Sequence, residues 1–186
     1  MKHLAYWFLP LALSACCVER TAPVTHPADP PASQPAKLTP AEFHRALAPQ
    51  LFNQTWELLD KPGRTAEEND QMLLRAYASA YHWSRVGGPK EASVAHWQIA
   101  RCYTALGRPE PAVYHARRSL EIAQAGQIPP FFLACAHQGL AHALAINKDT
   151  AGAKEHIAQA RELLKQVPDA EDRKVVEADL AGIPLP

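Results

Sequence analysis

Histidine is the residue type in this chain best suited to chemistry, because its side chain gains and loses a proton near neutral pH. One group falls in the predicted central helices, and its members are His82, His96, His115, His137 and His142. If two successive helices turn near Gly88, His82 and His96 lie at similar heights. The sequence therefore predicts that imidazoles from neighbouring helices meet.

An arginine joins this group if the next turn lies near Arg108. Arg101 then faces His115, and His142 lies near the same level on the following helix. A layer of these three side chains would be able to bind an anion or hold a general base. The alternative is that the histidines are part-exposed or hydrogen-bonded packing residues on alanine-rich helices.

Aromatic side chains are concentrated in the same region, namely Tyr77, Tyr81, Trp83, Trp97 and Tyr103. They are typical of packing between helices, but helical arrays also bind peptides in grooves lined by such residues. The candidate binding residues are therefore Trp83, Trp97, His82, His96, Arg101, His115 and His142.

Sequence motifs for catalysis or metal binding are missing. No HExxH, catalytic serine motif, phosphate loop or EF-hand occurs, and Cys102 and Cys135 stand alone. Both cysteines fall on apolar stripes, which favours buried free thiols, although an oxidising compartment would permit a disulfide. We therefore predict no catalytic residue, no metal, no cofactor and no enzyme activity.

The element that positions these residues is a helical hairpin over residues 91–126. Its first helix carries an apolar stripe at steps of three and four, formed by Ala92, Ala95, Ile99, Cys102, Tyr103 and Leu106. Gly107 follows where a helix end favours a left-handed residue, and Pro109 and Pro111 fit the first turn of the next helix. A turn this short requires antiparallel helices.

Residue spacing in this hairpin resembles the tetratricopeptide pattern, on the evidence of Ala100, Tyr103, Leu106, Gly107, Ala112 and Ala116. Similar rhythms occur upstream at residues 80–92 and downstream at residues 141–160. The resemblance implies an all-α fold over residues 38–186, in which antiparallel helical hairpins stack as a tetratricopeptide-like array. A charged last helix, over residues 169–180, is typical of the cap of such an array.

Helix boundaries can be predicted locally. Thr39 and Pro40 favour a helix start, and Thr65 with Glu68 matches a capping box. Pro49 predicts a kink or a split in the first helix.

The charge of the chain is balanced, with 19 basic and 19 acidic residues and a pI near 7.1. This balance argues against a nucleic-acid partner.

The N-terminal residues predict where in the cell the protein is located. Residues 1–15 have the charged start and short apolar run of a secretory signal peptide. The sequence Leu13-Ser14-Ala15-Cys16 resembles the lipobox of bacterial lipoproteins, which implies lipidation of Cys16 and a membrane anchor. The alternative is ordinary cleavage near Ala15, which gives a secreted protein. Residues 16–37 then form a proline-rich linker.

A second resemblance covers most of residues 52–182. The stretches FNQTWELLDKPGRTAEENDQMLLRAYASAYHW and AHWQIARCYTALGRPEPAVYHARRSLEI are similar to a family of bacterial helical proteins without an established activity. Tyr77 and Gln138 stand where that family tends to have histidine and glutamate.

From these observations we predict an envelope lipoprotein that acts as a scaffold for a protein partner through a helical-repeat groove. In a Gram-negative cell, the lack of aspartate after Cys16 favours the outer membrane, facing the periplasm. The alternative function is a small-ligand-binding protein or enzyme that uses the layer of histidine and arginine.

Overall fold

The computed structural model describes residues 37–186, and this part of the chain is helical without any strand. Its helices are α1 (Pro40–Leu59), α2 (Ala66–Val86), α3 (Pro89–Ala105), α4 (Pro109–Ala125), α5 (Pro130–Ile146), α6 (Thr150–Leu164) and α7 (Ala170–Ala181). The predicted all-α fold is confirmed. The predicted signal peptide, Cys16 and the linker up to residue 36 lie outside the described residues.

Helix starts follow the local sequence chemistry. Glu42 N–H donates to the Thr39 hydroxyl at 3.3 Å, and the Glu42 carboxylate accepts from Thr39 N–H at 2.8 Å. Thr65 and Glu68 form the same capping box at α2. Proline begins the next three helices and aspartate caps the last two, at Pro89, Pro109, Pro130, Asp149 and Asp169.

Of the two alternatives predicted for Pro49, the split is wrong, because α1 continues from Pro40 to Leu59. The preceding residue, Ala48, is fully buried, and its carbonyl accepts a hydrogen bond from Ser79 Oγ of α2 at 2.8 Å. Packing against α2 therefore holds the chain helical through a residue that lacks an N–H.

Three successive turns share one backbone conformation. The residue after the C-cap of α3, α4 and α5 has a positive φ, and these residues are Gly107 (64°), Gln127 (47°) and Lys148 (64°). In each turn the next N–H donates back into the preceding helix, for example from Arg108 to the Tyr103 carbonyl at 2.9 Å. This is the Schellman arrangement, in which glycine is the least strained residue. The predicted left-handed glycine at position 107 is confirmed.

Helices pack as three hairpins, α1 with α2, α3 with α4 and α5 with α6. The last two are related by a constant shift, because 41 positions separate Pro89 from Pro130 and also Pro109 from Thr150. Close approach within each hairpin depends on small residues at equivalent places. Ser93 and Ser119 exchange buried hydrogen bonds in one hairpin, and the fully buried Ala134 and Ala160 stand in their place in the other.

Among the first helices of the hairpins, α3 contacts both α1 and α5, and we call the side that these three helices form the inner face. The last helix, α7, packs mainly on α5 rather than on α6. Its Val176 and Leu180 join Trp56 and Trp97 in one buried cluster. The predicted cap of the array therefore lies partly across the inner face, where its apolar side chains are buried.

Close contact with Trp97 explains a glycine in α5. A Cβ added at Gly139 would lie 2.5 Å from Trp97 Cδ1. At the same place, Trp97 Nε1 donates to the Gln138 amide oxygen at 3.2 Å. Among the described helices, none is both long and apolar enough to cross a membrane.

Candidate functional site

Paired imidazoles connect the two helices of every hairpin. The Nδ1 atoms of His44 and His82 lie 2.7 Å apart between α1 and α2. The same atoms lie 3.0 Å apart in two further pairs, His96 with His115 and His137 with His156. A hydrogen bond between two Nδ1 atoms requires that one ring carries its proton there and the other ring does not.

The middle pair continues into a chain of tyrosine hydroxyls. His115 Nε2 lies 2.9 Å from the Tyr77 hydroxyl, which lies 3.1 Å from the Tyr103 hydroxyl. The His96 and His115 rings are stacked with centroids 5.2 Å apart. Residues from α2, α3 and α4 thus share one hydrogen-bonded network.

Burial keeps this network neutral. Burial, with a smaller contribution from neighbouring His96, lowers the pKa of His115 to about 4. Burial also lowers the pKa of His96, with a smaller contribution from Arg118. The pKa of Tyr77 is raised, first by burial and then by its hydrogen bond with Tyr103. At neutral pH these groups therefore exchange hydrogen bonds without carrying charge.

Exposed aromatic rings surround two of the imidazole pairs. The side chains of Tyr81 and Tyr114 are 59% and 64% exposed, and Phe43 and Tyr77 are also exposed. We define the aromatic band as Phe43, Tyr77, Tyr81, Tyr103 and Tyr114.

Ring contacts make the aromatic band continuous with the histidines between its members. Tyr81 packs on His44 with centroids 5.9 Å apart, and Phe43 packs on His82 at 5.8 Å. Tyr114 packs edge-on against His115 at 5.0 Å. Tyr77 and Tyr81 are one turn apart on α2, which joins the two groups. The exposed Leu74 lengthens the same stripe.

The two tryptophans proposed as groove residues lie in the core. Trp83 is 8% exposed and Trp97 is 3% exposed. Trp97 packs on Trp56, with ring centroids 5.7 Å apart. The packing interpretation therefore describes both residues, and the surface aromatic residues are tyrosines and one phenylalanine.

Arg101 lies at the centre of a separate polar cluster on the inner face. Its Nη1 donates to Asp179 Oδ2 of α7 at 2.8 Å and lies 3.4 Å from the Gln138 amide oxygen. The guanidinium carbon lies 5.2 Å from the Trp56 ring centroid and 5.3 Å from that of Trp97. A cation is therefore held between two indoles and one carboxylate.

Two buried donors beside Arg101 have no acceptor among the described residues. They are Trp56 Nε1 and Gln138 Nε2. Rotating the Gln138 amide would not help, because its NH₂ group would then face the N–H groups of Trp97 and Arg101. The cluster thus presents more hydrogen-bond donors than acceptors.

The predicted layer of Arg101, His115 and His142 is divided in the structure. His115 pairs with His96, whereas Arg101 pairs with Asp179. The cause is helical geometry, because residues five positions apart point about 140° away from one another. His96 and Arg101 therefore cannot both face α4.

His142 lies with Arg101 and Asp179 rather than with His115. Burial lowers its pKa, Arg101 lowers it further, and Asp179 opposes the shift. His82, which was expected beside His96, pairs with His44 instead.

Both cysteines of the helical domain are buried and free, as the apolar stripes indicate. Burial raises the pKa of the Cys102 thiol to about 12 and also raises that of Cys135. Within residues 37–186, no three histidine, cysteine or acidic side chains form a group able to hold a metal ion. Neither thiol is therefore suited to nucleophilic or ligand chemistry.

Comparisons with family models, with curated proteins and with solved structures gave no match to this chain. The resemblances to lipoproteins and to tetratricopeptide repeats therefore stay predictions.

Some residues of these sites were missed by sequence reasoning, namely His44, Tyr114, His156 and Asp179. The shift of 41 positions would have found His156, because it places His156 in α6 where His115 stands in α4. Nothing local indicates Asp179, which is 78 positions from Arg101.

Proposed function

We propose that this protein is a lipid-anchored interaction module of the bacterial envelope, whose helical domain binds a partner protein through the aromatic band. The observation that carries the proposal is the exposure of adjoining aromatic rings on a fold whose inner face is partly covered by its own last helix. Monomeric proteins seldom expose joined apolar surface without a binding role.

The chemistry of the band suits a protein partner. Tyrosine offers a large rigid ring for burial and a hydroxyl for hydrogen bonding, which is why it is enriched at the centres of interfaces. The rings of Tyr77 and Tyr114 are fixed against His115, at 5.6 Å and 5.0 Å between centroids. Rings that are already ordered lose little entropy on binding.

The proposed location in the envelope depends on the N-terminal sequence. The resemblance of Leu13-Ser14-Ala15-Cys16 to a lipobox supports an anchor, and the prolines of residues 18–36 support a spacer. Lipidation is tested by labelling cells with an alkyne-bearing fatty acid. A Cys16→Ser variant should lose the label, whereas the neighbouring Cys17→Ser variant should keep it; label on the first, or none on the wild type, contradicts the anchor.

Partner binding is tested by photo-crosslinking in the native envelope. A photoreactive residue placed at Leu74, beside the band, should crosslink to a defined partner. One placed at the exposed Gln159 of α6 should not. The Leu74 product should disappear when Tyr81 and Tyr114 are changed to serine and persist when Glu155 and Lys154 are changed to serine. Equal products from both positions, or none, contradict a binding role for the band.

A second candidate function is favoured by the unfilled donors beside Arg101. We propose that the inner-face cluster binds a small acceptor-rich molecule, such as a carboxylate, through Trp56 Nε1 and Gln138 Nε2. Its titration should change tryptophan fluorescence saturably in the wild type and not in Gln138→Leu. The exposed Gln159→Leu variant is the matched control. An unchanged signal with a panel of small carboxylates and inorganic phosphate counts against this second role.

A further inference from the structure

The three imidazole pairs share a position in the architecture as well as a geometry. Each pair joins the first helix of a hairpin to its second helix, with Nδ1 atoms 2.7 to 3.0 Å apart. The pairs in the second and third hairpins are also related by the 41-position shift, because His96 and His115 correspond to His137 and His156. The interaction thus recurs with the structural repeat.

A pair of this kind responds to protons in two distinct steps. When both rings are neutral, one Nδ1–H donates to the lone pair of the other Nδ1. A first added proton can be carried on an outer Nε2, so the bond between the rings survives. A second proton occupies the last free Nδ1, and two N–H groups then point at one another at 3.0 Å or less. Two like charges at this distance also repel.

The surroundings of the middle pair do not offset that repulsion. From α2 the pair faces the Tyr77 hydroxyl, and Tyr103 of α3 stacks on His115 at 5.9 Å between centroids. From α4 the pair faces Tyr114 and the positive charge of Arg118. A tyrosine hydroxyl is neutral in acid, and an arginine disfavours further positive charge.

The other two pairs have similar surroundings. His44 and His82 are packed against Phe43 and Tyr81. His137 is 5% exposed, and its pKa is lowered first by burial and then by its own partner, His156.

From this geometry we propose that the imidazole pairs are an acid-sensitive latch that closes each hairpin when its pair holds at most one added proton and releases it when the pair takes up a second. Each hairpin has the same contact between its two helices, so each loosens as its own pair takes up the second proton. The device requires no ligand and no partner, so it is independent of the proposed binding role.

The direction of the effect follows from the proton balance. Burial lowers the pKa of His115 and of His137 to about 4 in the folded chain, below the value of about 6.5 for a free histidine. The unfolded chain therefore binds more protons between these values, so stability is complete above about pH 6.5 and falls as the pH drops toward 4.

The latch is tested first in the unaltered full-length chain by following the ring nitrogens with ¹⁵N NMR during an acid titration. The second proton of each pair should be taken up together with loss of the near-ultraviolet circular dichroism that reports side-chain packing. Histidine pairs that become doubly charged while this signal and the helix–helix contacts persist overturn the proposal.

A mutant cycle separates the pair from the simple burial of two histidines. In acid unfolding, His96→Gln and His115→Gln should each shift the midpoint to lower pH, and the double variant should shift it no further than the larger single shift, because either change removes the shared contact. His142→Gln, which alters a part-buried histidine outside the pairs, should add its effect independently of them. Additive shifts from His96 and His115 overturn the latch, since they indicate two independent buried rings.

Discussion

Asp179 of the last helix accepts a hydrogen bond from Arg101 of the third helix at 2.8 Å, across 78 positions of sequence. Both side chains are largely removed from water, at 11% and 13% exposure respectively. The contact joins the C-terminal helix to the middle hairpin, and it places a carboxylate on the inner face formed by α1, α3 and α5.

Breaking this ion pair from one side should be costly. We expect Asp179→Asn to lower the free energy of unfolding by about 3 kcal/mol, because the Arg101 charge stays buried without its counter-ion. The double variant Arg101→Met with Asp179→Leu should recover most of that loss. Urea unfolding measures both values.

The matched control for the ion pair is Glu177→Gln in the same helix. Its pair with Arg161 lies at the surface, with side chains 46% and 53% exposed. We expect a change of about 0.5 kcal/mol or less. A similar loss in Asp179→Asn and Glu177→Gln would mean that burial of the Arg101 pair has no special importance.

Lys148 is a lysine in a backbone conformation that favours glycine. It has a φ of 64°, as Gly107 has in the equivalent turn. We expect Lys148→Gly to raise the free energy of unfolding by about 1 kcal/mol, because the strain of the left-handed side chain is removed. Lys154→Gly, within α6, should lower it by about 1 kcal/mol. Thermal unfolding that ranks the two variants alike would contradict the turn assignment.

The serine pair between α3 and α4 should tolerate joint removal better than single removal. Ser93 Oγ donates to the Ser119 carbonyl at 2.9 Å, and Ser119 Oγ donates to the Ser93 carbonyl at 2.8 Å. Each single alanine variant should cost about 1 kcal/mol, since a carbonyl loses its buried donor.

The double alanine variant of this serine pair should cost less than the two single variants together. The third hairpin already packs two alanines, Ala134 and Ala160, at the equivalent positions. Chemical denaturation of all three variants completes the cycle, and strict additivity would show that the two serines act independently.

The thiols of the helical domain should resist modification while the domain is folded. Burial raises the pKa of Cys102 to about 12, so almost no thiolate exists at pH 8. Iodoacetamide followed by peptide mass spectrometry should leave Cys102 and Cys135 unlabelled in native protein and label both in guanidinium. A disulfide between them, or native labelling of either, would contradict the buried free thiols.

Sequence reasoning succeeded where structure depends on neighbouring residues. Thr39, Thr65 and Asp169 cap helices through side-chain contacts with backbone groups two or three positions away. Gly107 has the positive φ that the turn after α3 requires. These interactions are complete within a few residues, so their signals are visible without knowledge of the fold.

The candidate sites were harder to predict, because they depend on the rotation of helices. Arg101 and His96 are close in sequence, yet they face opposite parts of the molecule and take different partners. Helix height alone puts Arg101 beside His115, but the angle around the helix separates the two side chains. Pro49 does not divide α1 for a related reason, since packing against α2 outweighs its local preference.

The position of α7 makes a short array behave unlike a longer one. Linear repeat proteins contact only their neighbours, so their ends fray without disturbing the middle. Here the final described helix contacts the third helix through Asp179, and its Val176 and Leu180 lie in one buried cluster with Trp56 of the first. Opening of the C-terminal helix would therefore expose buried side chains of the central helices. Hydrogen exchange at the C-terminal amides should for this reason be as slow as exchange at the centre of the domain.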